Sequence, residues 1–436
     1  MSTAASETSA RSGRRATILV LAAIVMTAVN LRTAVTGFSP LLETIDDELG
    51  FGPSLFGAFG TIVTASFALF GIVAAFVSRR LGLEVTLAVA TLVTTLGILL
   101  RALSPTPVTL VLATVVAFAG VGTSNVLIVP IVKRYFADRL KTVSSLYLAL
   151  LQFGQFVAPL VAVPVALALG WRFAIGMWAV LTAVACVLWV AVALAVRRRA
   201  APDAGGAGAA SAGRVGGVPD AATTDGGAGA GGERRGVPGA WRTPLLWGMV
   251  LMFGMTSLNT YVVITWLPTI LVDAGADPAL GGALLALFSV FGLGAAFVVP
   301  PLTLRLRNPV AIVVVCVVLL AIGYLGLLLA PLAGAVVWVV ALGLGVSTFP
   351  MCLTLVNART RTTAGSSLLS GATQGLGYAL ACVGPIVIGL LHEAQGGWGG
   401  AYVFLFGSLV VLLAAGIVVS RPRTLEAEAE AEAAAR

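Results

Sequence analysis

The chain has 436 residues, of which 59% are hydrophobic and only 10% are charged, and its mean hydropathy is +1.03. Soluble domains carry about 25% charged residues, so this composition excludes a soluble protein and indicates a membrane protein with many spans. The net charge of +8 does not indicate nucleic-acid binding, because the basic residues follow a membrane-topology pattern. The four cysteines lie in apolar runs and form no C-x-x-C pair. We therefore predict no metal site, no disulfide and no cofactor.

Twelve apolar runs reach the length of about 20 residues that a membrane span requires. Six precede residue 197, at 17–42, 53–77, 83–101, 107–131, 142–168 and 173–195. Six follow residue 243, at 244–270, 279–303, 309–329, 334–356, 364–391 and 398–419. We number them spans 1 to 12. The sequence therefore predicts an all-α membrane protein with twelve transmembrane helices in two halves, 17–196 and 244–420.

Three segments lie outside these halves. Residues 1–16 form an N-terminal tail, and residues 197–243 are rich in Gly and Ala with almost no large apolar side chains, which predicts a disordered linker. Residues 421–436 end in the low-complexity EAEAEAEAAAR and are expected to be a weakly helical, solvated tail.

The basic residues indicate how the chain is oriented. If the N-terminus is cytoplasmic, the inside segments hold Arg79, Arg80, Lys133, Arg134, Arg139, Lys141, Arg197 to Arg199, Arg305, Arg307, Arg359, Arg361, Arg421 and Arg423. The outside loops keep only Arg101 and Arg172, at span edges, and instead carry the acids Glu43, Asp46, Asp47, Glu48, Asp273, Asp277 and Glu393. Because cytoplasmic loops are enriched in Lys and Arg, both termini and the linker are predicted to be cytoplasmic, in the cell membrane.

The two halves resemble each other. In both halves SSL is followed by a glutamine eight residues after the first serine: Ser144 precedes Gln152, and Ser366 precedes Gln374. GVGTSN at 120–125 matches GLGVST at 343–348, and an asparagine comes nine or ten residues before a proline in spans 1 and 7. Such internal repeats are typical of secondary transporters, whose binding site lies between the repeats.

Several polar residues fall near the middle of their spans. Arg32 is about 15 residues into span 1, and Asn259 has a similar depth in span 7. Arg32, Thr36 and Ser39 form a polar stripe at helical spacing. Gln152, Gln374 and Tyr378 are candidates at the same depth as Arg32 and Asn259, and Thr36 and Trp266 are candidates from the polar faces of spans 1 and 7. Since a central charge costs about 2.5–3.5 kcal/mol on insertion scales, Arg32 is expected to face a cavity or a partner.

Each candidate also has a structural interpretation. Gln152 could only hydrogen-bond between helices, Asn125 could cap structure near the cytoplasmic side, and Tyr261 could face lipid. Arg32 could pair with a buried carboxylate, but no Asp or Glu lies in the core of any predicted span. This favours binding of an anion or an electron-rich polar solute by facilitated or exchange transport. Proton coupling through Glu43 or His392 at the outer vestibule stays open.

Four longer stretches carry a family resemblance. They are NLRTAVTGFSPLL in span 1, GVGTSNVLIVPIVKRYF in span 4, YVVITWLPTIL in span 7 and LSGATQGLGYALACVGPIVIGLLHEAQGGW in span 11. Together they resemble the cyanate permease/nitroimidazole transporter group of the major facilitator superfamily. The resemblance runs through both halves and spares the tails and the linker.

The resemblance implies two pseudo-symmetric six-helix bundles with alternating access around a central site. It also implies small polar or anionic solutes, such as cyanate-like anions or nitroimidazole-type compounds. Applied to this sequence, it points to Arg32, Asn30, Asn125, Trp266, Gln374 and Tyr378. The superfamily's G-x-x-x-D-R-x-G-R-R loop is AFVSRRLGLE here, with Ser78 in place of the acid and Leu83-Glu84 in place of the basic pair. The usual cytoplasmic charge latch is therefore not expected in its usual form.

The sequence thus predicts a transporter and not an enzyme, with a small-molecule substrate, no nucleic-acid partner and a monomeric state. The alternative is a proton-coupled multidrug exporter of the same superfamily, which the missing core carboxylate disfavours. A membrane enzyme would need a catalytic cluster, and a transport-derived sensor would need a signalling domain; the sequence indicates neither.

Overall fold

A computed structural model of the chain describes residues 2–200 and 237–434, and every regular element within them is helical. Twelve helical segments in these ranges are long and apolar enough to cross a membrane. They are Thr17–Leu49, Pro53–Leu81, Leu83–Ala102, Pro107–Tyr135, Thr142–Leu169, Trp171–Arg197, Pro244–Asp273, Pro278–Arg305, Val310–Leu329, Ala335–Ala358, Ala364–Gln395 and Gly399–Ser420. The predicted all-α, twelve-span membrane fold is confirmed.

Four spans are broken into two helices. Span 1 consists of Ser2–Thr36, a 3₁₀ turn at Ser39–Leu41 and Leu42–Leu49. Spans 6, 10 and 11 are also broken, giving the pairs Trp171–Gly176 and Trp178–Ala200, Ala335–Gly345 and Thr348–Ala358, and Thr363–Ala381 and Val383–Gln395. Pro40 and Pro385 lie at two of these breaks, where the missing amide hydrogen and fixed φ of proline favour a helix start over continuation.

The spans form two bundles with the same internal arrangement. Span 1 packs on spans 5 and 6 in the first bundle, and span 7 packs on spans 11 and 12 in the second. The bundles meet where span 2 packs on span 11, span 5 on span 8, and the ends of spans 1 and 2 on span 7. We call the membrane face on which span 1 begins and span 12 ends the terminal face, and the opposite face the distal face.

The loop that departs from the superfamily motif forms a different contact on the terminal face. Glu84, at the start of span 3, is 4% exposed and accepts a hydrogen bond from the Tyr135 hydroxyl group at 2.7 Å. Its Oε1 also lies 3.2 Å from Nη1 of Arg134 at the end of span 4. Arg80 instead lies over the ring of Phe76, 4.5 Å from its centroid. Span 3 thus supplies the carboxylate that pairs with Arg134 on the terminal face, and this contact lies within the first bundle.

The C-terminal segment is not the solvated appendage expected from its composition. Leu425–Ala434 is a helix whose Leu425 side chain is fully buried. The Glu426 carboxylate accepts hydrogen bonds from the backbone of Arg361 and Thr362, both at 3.0 Å. Glu428 accepts from the backbone amide of Leu245 at 3.0 Å. The glutamates that made this segment look solvated satisfy free amides at the starts of spans 11 and 7, as capping groups do.

The ends of the predicted linker are also folded. Span 6 runs on as helix to Ala200, and Ala240–Arg242 forms a 3₁₀ turn before span 7. The Thr243 hydroxyl group accepts from the backbone amide of Leu246 and caps span 7. The disorder predicted for the remaining linker, 201–236, lies outside the described residues.

Candidate functional site

The two bundles are in close contact on the distal side. The Ser39 hydroxyl group donates to the backbone carbonyls of Ile264 and Thr265 in span 7. The Thr61 hydroxyl group of span 2 donates to the carbonyl of Cys382 in span 11 at 2.8 Å. The Phe56 ring of span 2 stacks on Trp266 of span 7, with centroids 5.8 Å apart. These contacts form what we call the distal seal.

The opposite side of the bundle interface is open. Every described hydrogen bond that joins the first half, 2–200, to the second half, 237–434, lies at the depth of Arg32 or on its distal side. Span 11 carries a stripe of small and polar residues, which are Ser367, Ser370, Gly371, Gln374, Gly377 and Tyr378. A Cβ atom built on Gly371 of this stripe, or on Gly375 beside it, would meet no heavy atom within 4 Å. Ser367 on the same stripe is exposed. The described hydrogen bonds between the bundles therefore lie at the depth of Arg32 and on the distal side, and none is described nearer the terminal face.

Arg32 lies at the end of this open region, between the bundles. Its Nη1 donates to the Tyr261 hydroxyl oxygen of span 7 at 2.9 Å. Its Nε is buried without a hydrogen-bond partner, whereas the residue as a whole keeps partial exposure. No carboxylate of the described chain lies within ion-pair distance of the guanidinium group. A permanent positive charge with an unused donor thus lies in the gap between the bundles without a carboxylate partner, as the missing core carboxylates predicted.

Aromatic rings surround this charge. The Arg32 guanidinium carbon lies 5.6 Å from the centroid of the Phe67 ring of span 2. Phe67 is 6.4 Å from Tyr261 and 5.8 Å from Tyr378 of span 11, and the two tyrosine rings are 6.5 Å apart. Such rings supply flat apolar surface and, in Tyr, a hydroxyl group that can bind a polar solute. Tyr147 of span 5 is a further electrostatic neighbour of Arg32.

Arg32 and Tyr261 occupy equivalent positions of the internal repeat. TAVNLR at 27–32 aligns with TSLNTY at 256–261, so each residue follows the repeated asparagine by two positions. Their hydrogen bond therefore joins the same position of the two repeats across the bundle interface. A site on the repeat axis is the arrangement that inverted or parallel repeats produce in transporters.

The two repeated glutamines remain near the interface. Gln152 of span 5 is partly exposed, and its Nε2 lies 3.3 Å from where a Cβ atom on Gly292 of span 8 would be. Gln374 of span 11 is partly exposed and donates to the Ser370 hydroxyl oxygen at 2.9 Å. Tyr378 follows Gln374 by one helical turn, on the same stripe. The Gln152 amide thus lies beside the other bundle, whereas the described contact of Gln374 is within its own helix.

The repeated asparagines, by contrast, are turned into their own bundles. Asn259 is fully buried: its amide nitrogen donates to the backbone of Met255 and to Ser408 at 2.7 and 3.0 Å, and its oxygen accepts from Tyr324 at 2.7 Å. Asn30 lines a cavity inside the first bundle and accepts from Thr33 at 2.9 Å. Depth in the membrane put Asn259 level with Arg32, but depth does not fix the direction in which a helix presents a residue.

Three further predicted residues have no described hydrogen bond to the Arg32 guanidinium group. The Thr36 hydroxyl group donates back to the carbonyl of Arg32 at 3.1 Å and is fully buried. Trp266 belongs to the distal seal, where its indole nitrogen donates to the Pro385 carbonyl at 3.0 Å. Asn125 is partly exposed on span 4.

The sequence missed several residues of this region. Tyr261 was open to an interpretation as lipid-facing, but it is 3% exposed and binds Arg32. Its repeat equivalence with Arg32 was the signal that could have identified it. Phe67 and Tyr147 had no such signal, because an aromatic residue in a span is ordinary packing material.

The titratable groups left open for coupling lie at the distal face. Glu43 of span 1 has a buried Oε1 without a hydrogen-bond partner. His392 stacks on Trp398 with centroids 4.1 Å apart, and its Nε2 lies 3.7 Å from Oδ2 of Asp273. His392 also lies beside Trp266 of the distal seal, with ring centroids 6.4 Å apart.

Comparison with known proteins identifies the family to which this fold belongs. The family model of the Major Facilitator Superfamily matches residues 18–382. The chain belongs to this superfamily. An inward-open structure of the xylose transporter XylE from E. coli superimposes with a TM-score of 0.65 at 14% identity, covering 95% of this chain and 99% of that one. At this identity the likeness shows the shared fold.

Two relatives of this chain also indicate the group within the superfamily to which it belongs. The 2-nitroimidazole transporter of Escherichia coli (strain K12) is 30% identical over 383 residues, which cover 87% of this chain and 90% of the relative. The cyanate transport protein CynX of the same organism is 23% identical over 381 residues, covering 87% and 91%. The predicted group within the superfamily is thereby confirmed.

Proposed function

We propose that this superfamily transporter carries a small planar solute with a delocalised negative charge or a nitro group, bound at Arg32. The observation that carries the proposal is the guanidinium group, which lies between the bundles with an unpaired Nε and no carboxylate partner in the described chain. A planar anion or nitro group offers two oxygens, or an equivalent pair of acceptors, to the fork of donors that arginine presents.

The aromatic rings support the planar class of substrate. Phe67 and Tyr378 offer apolar faces beside the guanidinium group, and Tyr261 offers a hydroxyl group. A nitroimidazole ring would gain from stacking in this setting, and a linear anion such as cyanate would gain chiefly from the charge. The names of the two relatives fit these two chemistries.

We further propose that the terminal face is cytoplasmic and that the protein works as a monomer in the cell membrane. The positive-inside distribution of Arg and Lys supports the orientation. With it, the structure corresponds to an inward-open state. The proposed bundles are 17–196 and 244–420, joined by the linker 197–243, with tails 1–16 and 421–436. Alternating access then opens the distal seal and closes the terminal side around the Arg32 site.

The alternative, proton-coupled export of varied compounds, is less well supported. It needs a titratable group in the solute path, and the side chains named around Arg32 carry no carboxylate or imidazole group. Glu43 and His392 would have to act from beyond the distal seal. Transport of a nitroheterocycle that stops when the pH gradient is collapsed would favour this alternative.

The test is uptake and exchange by purified protein in proteoliposomes. Arg32→Ala and Arg32→Lys are expected to abolish both, because the lysine ammonium group keeps the charge but not the fork of donors. Arg307→Lys, on the exposed terminal face, is the matched control and should transport normally. Wild-type rates in the Arg32→Lys and Arg32→Ala proteins, with normal membrane insertion, would contradict the proposal.

A binding screen would identify the substrate. Thermal unfolding of the wild-type protein is measured with small anions and nitroheterocycles, since a ligand of the folded state raises the melting temperature. Genuine substrates should lose their stabilising effect in the Arg32→Ala protein and keep it in the Arg307→Lys protein.

A further inference from the structure

A second arginine is buried inside the first bundle, away from the Arg32 cavity. The sequence placed Arg101 at the edge of an outside loop, but in the structure it is 1% exposed. Its guanidinium carbon lies 3.9 Å from the centroid of the Phe38 ring. No carboxylate within residues 2–200 and 237–434 pairs with it. A full positive charge therefore lies in a closed setting with only partial compensation by a ring.

One of its nitrogens has a clear structural role. Nη1 donates to the carbonyl of Ala34 at 3.1 Å. In a continuous helix this carbonyl would accept from the amide of Phe38, but that amide bonds to Val35 where span 1 bends. Arg101 thus caps the end of the first helix of span 1, where a cation is favourable.

The other donors are unused and share one cavity. Nε and Nη2 of Arg101 are buried without hydrogen-bond partners, and so is Nε1 of Trp178. Both side chains line a small cavity between spans 1, 3 and 6, whose remaining walls are Thr33, Ala34, Gly37, Phe38, Ile98 and Ile175. Trp178 is also the first residue of the helix Trp178–Ala200. Three orphan donors and no carboxylate make this cavity complementary to an acceptor with negative charge.

We propose that this cavity is a second anion site, which takes a small monovalent anion of about the size of chloride. The anion accepts hydrogen bonds from Arg101 and Trp178 and thereby ties spans 3 and 6 to the bend of span 1. That bend carries Phe38, whose ring meets Phe59 edge-on at 5.1 Å, and Ser39 of the distal seal. Occupancy therefore stabilises the distal-closed state without contact with the transported solute.

The test compares chloride with gluconate at equal ionic strength, using the full-length protein in nanodiscs. Chloride should raise the melting temperature in a saturable manner, whereas gluconate, which is too large for the cavity, should not. Trp178→Phe keeps the packing but removes one donor, and should raise the half-saturating chloride concentration about tenfold. Arg101→Gln should make the melting temperature independent of chloride.

Arg32→Gln separates this site from the proposed substrate site. It should keep the chloride response of the wild type while losing transport, so failure of one proposal does not decide the other. Bromide in place of chloride should give an anomalous scattering peak between Arg101 and Trp178 in crystals. Equal stabilisation by gluconate, a chloride response that survives in both Trp178→Phe and Arg101→Gln, or water without anomalous signal in the cavity would overturn the proposal.

Discussion

The distal seal depends on a glycine that brings span 2 against span 11. A Cβ atom on Gly57 would lie 2.3 Å from the carbonyl oxygen of Pro385 and 2.9 Å from Cα of Ile386. Carbon and oxygen atoms in favourable contact are about 3.3–3.6 Å apart, so the two helices would have to separate by roughly 1 Å. The atoms in the way belong to the backbone of span 11 and cannot rotate aside. We therefore expect Gly57→Ala to oppose distal closure.

The size of the effect follows from the cost of overpacking. Adding a methyl group to a well-packed contact costs about 1–3 kcal/mol. The distal-open state does not have this cost, because spans 2 and 11 are no longer in contact at the distal face. The population ratio of distal-open to distal-closed molecules should then rise by about 5- to 150-fold. Gly282→Ala, whose Cβ atom would lie 2.6 Å from the Pro159 carbonyl oxygen in the span 5–span 8 contact, should act in the same direction.

The assay is a distance measurement between spin labels on the two bundles. Asp47 and Asp277 are exposed at the distal face, one in each half, and carry the labels after the four native cysteines are replaced. Gly57→Ala should add a population at longer distance. Gly294→Ala is the matched control, because a Cβ atom there meets no heavy atom within 4 Å. A wild-type distance distribution in Gly57→Ala, or an equal change in Gly294→Ala, would refute the reasoning.

Two further predictions concern residues outside the solute path. Asn259→Ala should lower the free energy of unfolding by about 1–3 kcal/mol, because Tyr324 and Ser408 lose a buried hydrogen-bond partner. Substrate affinity should stay unchanged. A lost affinity with an unchanged melting temperature would contradict the placement of Asn259 inside its bundle. Burial opposes ionisation of Glu426, but the hydrogen bonds that it accepts from Arg361 and Thr362 outweigh burial and lower its pKa. Glu426→Gln should therefore lower the melting temperature at pH 7. Its difference from wild type should shrink as the pH falls from the ordinary glutamate pKa of about 4.3 through the lowered pKa of the native carboxylate. A difference that persists or grows in acid would contradict the assignment.

The substrate proposal and the second anion site together give the arginines of the first bundle separate roles. Arg32 faces the gap between the bundles, where a solute can reach it from the terminal face. Arg101 faces a closed cavity and acts on the bend of span 1. Only the first would contact the transported solute, which is why their variants are expected to separate transport from chloride-dependent stability.

The sequence by itself determined the number of spans, their order and the duplication. These are local properties, because an apolar run of about 20 residues must form a helix in the bilayer to satisfy its own backbone. It also determined that Arg32 lacks a core carboxylate, since no Asp or Glu position falls in the core of a predicted span. Composition failed for the C-terminal glutamates, whose partners are amides distant in the sequence.

Only the tertiary structure decided which way each polar residue points. Asn30 and Asn259 turn into their bundles, whereas Arg32 and Tyr261, two residues later, meet between them. The same packing buried Arg101, which the charge pattern had assigned to a loop edge. Position along a span sets depth, but the rotation of a helix about its axis is set by the residues it packs against. That rotation distinguishes a residue that supports the bundle from one that can bind a solute.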